Sequence, residues 1–282
     1  MTLHAGIFGY PIRHSISPAM HNAAFESAGI DAVYEAWETA PDRLAAGVAA
    51  LRGGSFLGAN VTVPHKQAVM EHLDDIDSLA TRIGAVNTIV NQNGRLMGSN
   101  TDALGFINSL KNEAGVNVSG LNVVLIGAGG AARAAAYALA DAQAGELTIA
   151  NRTVERAESL ATELRKTGAE TVSYGISNPD FLSACERADL IVNSTSVGML
   201  HGPAEGESPI PSEVIQPGCI VYDMVYNPTM TPLLTDAEKS GARIVGGLPM
   251  LVYQGAAAWT RWTGREAPVE VMFRAAKEAL EL

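Results

Sequence analysis

Residues 121–132 read LNVVLIGAGGAA, and this stretch decides the architecture. A short apolar run ending at Ile126 leads into Gly127-Ala128-Gly129-Gly130-Ala131-Ala132, which opens an Ala-rich segment of helical character, 131–143. In a strand–loop–helix context the GxGxxA spacing has a physical meaning. Glycines at 127 and 129 permit a tight turn and let backbone N–H groups approach a pyrophosphate, which rests on the positive end of the helix; Ala132 permits close helix–sheet packing. Working outward, ELTIANR (146–152) reads as the next strand and VERAESLATELRKTG (154–168) as an amphipathic helix. Then come strands in 188–196 and 218–226, a helix in 230–241 closed by Gly241, and a strand in 242–247. This alternation predicts an α/β fold with a doubly wound parallel sheet of the Rossmann type.

The end of the second strand bears on the cofactor. An NAD site typically carries Asp or Glu there to accept from the ribose 2′-hydroxyl. Here the residues are Asn151-Arg152-Thr153, with Arg156 one turn later. The two guanidinium groups can fork onto a 2′-phosphate while Asn151 and Thr153 donate hydrogen bonds, which favours NADP. Arginines in a first helical turn oppose the helix dipole, and a bound anion explains their placement. The competing reading is a solvated helix start that binds nothing.

The first hundred residues form a second, smaller α/β pattern. Strands are predicted in 4–12, 32–39 and 57–64, and helical stretches in 18–29, 41–54 and 66–76. In NTIVNQNGRLMGSN (87–100), Asn93-Gly94 between apolar runs predicts a hairpin with a primed turn. After Gly247 the chain reads as two helices, 250–264 and 269–282, with no strand to extend the second sheet. The expected organisation is therefore a substrate domain of 1–102, a nucleotide-binding domain of 103–246, and C-terminal helices, 247–282, that return to the first domain.

Several polar residues stand where chemistry needs them. Asn60 and Thr62 end a strand, and Lys66 follows Pro64 in what reads as a first helical turn. A helix dipole and partial burial both disfavour an ammonium there, which makes Lys66 an acid/base candidate beside the plainer reading of a surface lysine. Asp102, after Asn100-Thr101, reads equally as a carboxylate at a helix start. Ser17 before Pro18 is a natural cap, with Ser15 two residues earlier; Asn87 can be a turn residue. His14 and His65 read as hydrogen-bonded structural residues, and no metal-ligand spacing is visible.

The composition narrows the partners. With 282 residues, 47% hydrophobic and 17% charged, the chain can bury cores in two domains. A net charge of −11 without a basic stripe argues against nucleic acid. No run of about 18 apolar residues suggests a membrane span. The start, MTLHAGIFGYPIRH, lacks the pattern of a secretory leader, and Cys185 and Cys219 read as reduced, buried thiols, so a cytoplasmic protein is expected.

The motifs PIRHSISP, NVTVPHK, GAVNT, SNTD, GAGGAA, NRT, NSTSVGM, YNPTMTPLL and GLPMLVYQGA, in this order across the chain, resemble the shikimate dehydrogenase family. The resemblance implies an NADP-dependent reduction of 3-dehydroshikimate to shikimate in a cleft between the two domains, with a homodimer as a plausible assembly. It implies Lys66 and Asp102 as the catalytic pair. It implies a substrate site of Ser15, Ser17, Asn60, Thr62, Asn87, Asp102, Tyr226 and Gln254. Cofactor contacts would come from Gly127, Ala128, Gly129, Gly130, Ala131, Asn151, Arg152, Thr153, Arg156, Val225 and Gly247. The chain departs from the family pattern at Ala103 and Pro249, where glycine is usual, so loop shape could differ at both points. An NAD-using quinate/shikimate enzyme and a non-catalytic NADP sensor are the readings left to exclude.

Overall fold

The structure, a computed structural model, describes residues 1–281, so the last residue of the predicted C-terminal helix lies outside it. The chain divides into two compact units, one of Met1–Gly105 with the chain from Val252 onward, the other Phe106–Leu251.

Unit 2 carries the sheet announced by the glycine-rich stretch. Its strands are β7 (Val123–Ile126), β8 (Leu147–Asn151), β9 (Thr171–Gly175), β10 (Leu190–Asn193), β11 (Ile220–Asp223) and β12 (Arg243–Val245). All pair in parallel, in the order β12-β11-β10-β7-β8-β9. The order reverses between β7 and β10, the position where open parallel sheets bind ligands beyond the carboxyl ends of their strands. Because helices cover both faces of such a sheet, its central strands are continuously apolar rather than alternating, as in VVLI and LIVN. The helices are α5 (Gly130–Asp141), α6 (Val154–Arg165), α7 (Pro179–Glu186) and α8 (Pro232–Lys239). Ala132, Ala134, Ala135 and Ala136 of α5 are fully buried, and residues this small let a helix lie close to the sheet. Both cysteines are free and buried here, and desolvation pushes Cys185 up to about 12 and Cys219 to about 11.

Unit 1 is built on a mixed sheet in the order β2-β1-β3-β5-β6-β4. β1 (Leu3–Gly9), β2 (Ala32–Glu38) and β3 (Phe56–Val61) are parallel, whereas β5 (Thr88–Gln92) runs antiparallel to β3 and to β6 (Arg95–Ser99). The β5–β6 turn has positive φ at both central residues, Asn93 (56°) and Gly94 (89°), which is the predicted primed geometry. The helices are α1 (Ser17–Ser27), α2 (Leu44–Ala50), α3 (Ser78–Ile83), the start of α4 (Asp102–Asn112), most of α9 (Leu248–Thr263) and α10 (Val269–Ala279). Phe25 and Trp259 are fully buried with ring centroids 6.0 Å apart, and side chains of this size stabilise by about 3 kcal/mol each on burial.

Two local expectations are corrected. Residues 66–76 do not form a helix: only Ala68–His72 winds, as a 3₁₀ turn, and Asp75–Ile76 becomes strand β4, paired with β6. Asp74 explains the switch, because its backbone and carboxylate both bond Leu96 and so draw the segment to the sheet. Ser17 is not a cap; it is the first residue of α1, and no side chain caps that helix. Ala103 lies in the first turn of α4, the helix start at which the sequence places it, and Pro249 in the first turn of α9, positions that tolerate alanine and proline well.

Candidate active site

Lys66 and Asp102 meet in unit 1. Lys66 Nζ donates to Asp102 Oδ2 at 2.5 Å, with the lysine side chain 15% exposed and the aspartate 7%. The reason for singling out Lys66 therefore changes. It sits in the turn before the short 3₁₀ segment, and a carboxylate holds its ammonium in place of any helix dipole pressing on it. The backbone also fixes this turn, since Val86 N, in the loop before β5, donates to the Lys66 carbonyl at 2.8 Å.

Asp102 is free to play this part because another residue caps its helix. Asn100 Oδ1 accepts from the amides of Asp102 at 3.0 Å and Ala103 at 3.4 Å. The Asp102 carboxylate turns instead to Lys66 and to Asn87, whose Nδ2 donates to Oδ1 at 2.7 Å. Asn87 is only 2% exposed and extends the cluster: Nδ2 also lies 3.3 Å from Gln254 Oε1, and its Oδ1 accepts from Thr101 N at 2.7 Å. Asn60, 4% exposed, joins through Thr88 Oγ1 and the Asn87 carbonyl, both 3.2 Å from its Nδ2.

The structure thus brings Lys66, Asp102, Asn87, Gln254 and Asn60 into one hydrogen-bonded cluster. Ser15 and Ser17 stand together at the start of α1, with Ser17 N donating to Ser15 Oγ at 3.3 Å. Thr62 follows β3, its amide bonded to Phe8 O. Tyr226 follows β11 on unit 2. His14 is exposed, and His65 is a buried structural residue whose Nε2 lies 2.7 Å from Thr39 O. Sequence reasoning missed Thr88 and Tyr34 and gave Asn100 no role, although all three bond into the cluster or cap the helix that carries it.

In unit 2 the candidate cofactor residues gather at the carboxyl ends of the strands. Gly127 has φ +117°, and a Cβ there would strike the Ser194 hydroxyl of the loop after β10, so only glycine fits. At Gly129 a Cβ would meet nothing within 4 Å, which leaves open room beside the N-terminus of α5. Arg152 and Arg156 are exposed, and neither guanidinium has a partner among the described residues. Asn151 turns back to the Thr153 carbonyl at 2.8 Å. Glu155 shares the first turn of α6 with Arg156, while Arg152 lies just ahead of the helix, and this carboxylate is one that the sequence reading leaves out of account.

On the other side of the switch point one buried carboxylate ties the loops. Asp223 Oδ1 accepts from Val225 N at 3.0 Å and Asn193 Nδ2 at 2.9 Å, and Oδ2 from Thr231 Oγ1 at 2.7 Å. Desolvation raises Asp223 to about 6 against those three donors. Gly247 N donates to Val225 O at 3.3 Å, and a Cβ at 247 would collide with Met224 O.

Comparison with known proteins identifies this arrangement. Family models match in three consecutive pieces: the shikimate dehydrogenase substrate binding domain over residues 7–89, shikimate / quinate 5-dehydrogenase over 109–200, and the shikimate 5′-dehydrogenase C-terminal domain over 247–277. A shikimate dehydrogenase (NADP(+)) of Moorella thermoacetica is 51% identical over 97% of this chain and 92% of its own. The chain belongs to the shikimate dehydrogenase family. A second relative of that description, from Methanopyrus kandleri, is 47% identical over 98% of this chain and 95% of its own. Among solved structures, shikimate 5-dehydrogenase of Thermus thermophilus in complex with NADP(H) and shikimate superposes with a TM-score of 0.89. It is 40% identical and covers 99% of this chain and 100% of its own. Among the described residues, no helix is long and apolar enough to cross a membrane.

Proposed function

We propose that this protein is an NADP-dependent oxidoreductase of the CH–OH class that interconverts 3-dehydroshikimate and shikimate, in the biosynthesis of chorismate and the aromatic amino acids. The observation that carries the reading is the shielded Lys66–Asp102 pair at 2.5 Å, in a chain half identical to NADP-dependent shikimate dehydrogenases over nearly its whole length.

Unit 1 supplies all but one of the groups for the substrate, and unit 2 those for the cofactor. Ser15, Ser17, Asn60, Thr62, Asn87, Asp102, Tyr226 and Gln254 engage a ligand with one carboxylate and several hydroxyls, since each water hydrogen bond that such a ligand loses must be replaced by a protein one. The residues present in unit 2 fit NADP. Gly127 to Ala131 leave the N-terminus of α5 approachable by a pyrophosphate, and Arg152 and Arg156 are exposed cations without partners that suit a 2′-phosphate. Asn151 and Thr153 lie beside those arginines, and the backbone at Val225 and Gly247 would add contacts to the bound cofactor. When bound, NADPH supplies a hydride to the ring ketone. Lys66, as ammonium, gives its proton to the alkoxide that develops and takes it back in the reverse direction. Asp102 holds the ammonium on one carboxylate oxygen and is itself held on the other by Asn87.

The protein acts on a small molecule in the cytoplasm, with no nucleic-acid partner, in keeping with its net charge of −11. A homodimer is part of the same proposal.

The test is absorbance at the nicotinamide band with shikimate or quinate and NADP or NAD, beside Lys66→Ala. Shikimate oxidation with NADP that the substitution abolishes supports the assignment. NADP binding without turnover of either acid would point to a sensor, and preference for NAD with quinate would overturn both substrate and cofactor.

A further inference from the structure

Tyr34 and Thr88 are 1% and 0% exposed, and among the described residues neither hydrogen-bonds to Lys66 or Asp102. Their hydroxyls nevertheless lie on a continuous hydrogen-bonded path to that pair, and fixed backbone groups settle the direction of every step. Thr101 N can only donate, and it lies 2.7 Å from Asn87 Oδ1. That contact sets the Asn87 side chain oxygen-first toward Thr101 N and places one of its amide protons on Asp102. The Asn87 backbone carbonyl can only accept, and Asn60 Nδ2 lies 3.2 Å from it. The Asn60 oxygen therefore faces Tyr34, whose hydroxyl donates to it at 2.8 Å.

Thr88 closes the path. Asn60 and Thr88 are cross-strand partners on β3 and β5, and Asn60 Nδ2 donates to Thr88 Oγ1 at 3.2 Å. The Thr88 hydroxyl then gives its proton to Asn87 Oδ1 at 3.0 Å. Its other neighbour, Thr101 Oγ1 at 3.1 Å, itself donates to the same oxygen, so both routes end on the Asn87 amide. The far end is anchored. The Tyr34 ring stacks on His21 at 4.3 Å and 13°, and its backbone exchanges two hydrogen bonds with the Asn22 amide.

We infer that Tyr34 and Thr88 are positioning residues for the Lys66–Asp102 pair, acting through a one-directional chain of donors that runs Tyr34, Asn60, Thr88, Asn87, Asp102. Every link points at the carboxylate, so each bond polarises the next, and with the chain buried no water can stand in for a missing hydroxyl. The chain also leaves Asn60 no free amide proton, which makes it a strut of the site as much as a ligand. The inference rests on the shikimate dehydrogenase activity proposed above.

The experiment compares Thr88→Val, which keeps the shape and removes the donor, with Thr88→Ser, which restores it, and with Tyr34→Phe. Steady-state kcat and KM for shikimate are measured beside the NADP dissociation constant and melting temperature. In Thr88→Val, kcat falls about tenfold with NADP affinity unchanged; Thr88→Ser stays within about twofold of the parent, and Tyr34→Phe loses about threefold. Parental kcat in Thr88→Val, or a Thr88→Ser enzyme no better than Thr88→Val, overturns the inference. Where Thr88→Val does not fold, Tyr34→Phe decides, and an unchanged kcat there overturns it. A parent protein that does not oxidise shikimate overturns the activity itself, a separate result from an active parent with indifferent variants.

Discussion

In unit 1 the asparagines and the aspartate proposed to meet the substrate are buried and already bonded, Asn87 to Asp102, Thr101 and Gln254, and Asn60 to Thr88 and Tyr34. In unit 2 the groups proposed to meet the 2′-phosphate, Arg152 and Arg156, are exposed, with no partner among the described residues. A small ring with several hydroxyls beside its one carboxylate is recognised mostly through directional hydrogen bonds, so its site must be organised in advance by the protein's own hydrogen bonds. A phosphate brings its own charge and can order flexible arginines on arrival. The first site is thereby sensitive to geometry, the second to charge.

The contrast can be broken most sharply at Lys66. Lys66→Met keeps the length of the side chain without its proton, and kcat is expected to fall about a thousandfold while the NADP dissociation constant holds. A comparable loss of NADP affinity would show the two sites to be energetically inseparable. The matching change in unit 2, Arg152→Ala, should raise KM for NADP about tenfold and leave KM for shikimate alone. If NAD gains nothing relative to NADP in this variant, the 2′-phosphate contact is misassigned.

Acid should act on unit 1 through His21. Complete burial lowers its pKa from 6.5 to about 3, with neither ring nitrogen bonded among the described residues. The unfolded chain therefore takes up a proton between about pH 6.5 and 3 that the folded chain refuses, and stability present above 6.5 is lost as pH falls. Asp223, raised from 3.8 to about 6, works the other way within the narrower window of 3.8 to 6, where the folded chain keeps the proton. Denaturation of His21→Gln beside the parent at pH 5 to 6.5 should show a slope shallower by at most about 1.4 kcal/mol per pH unit. Equal slopes would mean that water reaches His21. The smallest effect is that of salt. Between about 0.05 and 0.5 M, KM for NADP should rise a few-fold and kcat stay flat, because screening reaches the exposed arginines and not the shielded pair.

Much of this is legible in the sequence. The glycine loop, the β7–α5–β8 run and the Asn93-Gly94 hairpin are local signals, set by residues close in the chain. Strand β9 escapes such a reading because it is a half-buried edge strand without clean alternation, and α7 because the Asn178-Pro179 start, whose Asn178 does cap the helix, lies in a polar stretch. The 66–76 segment reads as helix on composition and is captured by Leu96, a partner distant in sequence. Lys66 and Asp102 stand out as candidates, but the partnership of Tyr34, Asn60 and Thr88 spans 26 and 28 residues per link. Pairings across a sheet follow from register, and neither residue alone carries a signal for them.

Asp223 has a consequence in time as well as in space. Its one carboxylate holds the end of β10 through Asn193, the loop after β11 through Val225, and the start of α8 through Thr231, which caps that helix by accepting from Leu234 N. Three segments pinned to a single point cannot fray one at a time. Their amide protons should exchange with solvent deuterium at one common rate, as a single opening unit, and in Asp223→Asn that shared clock should split into three.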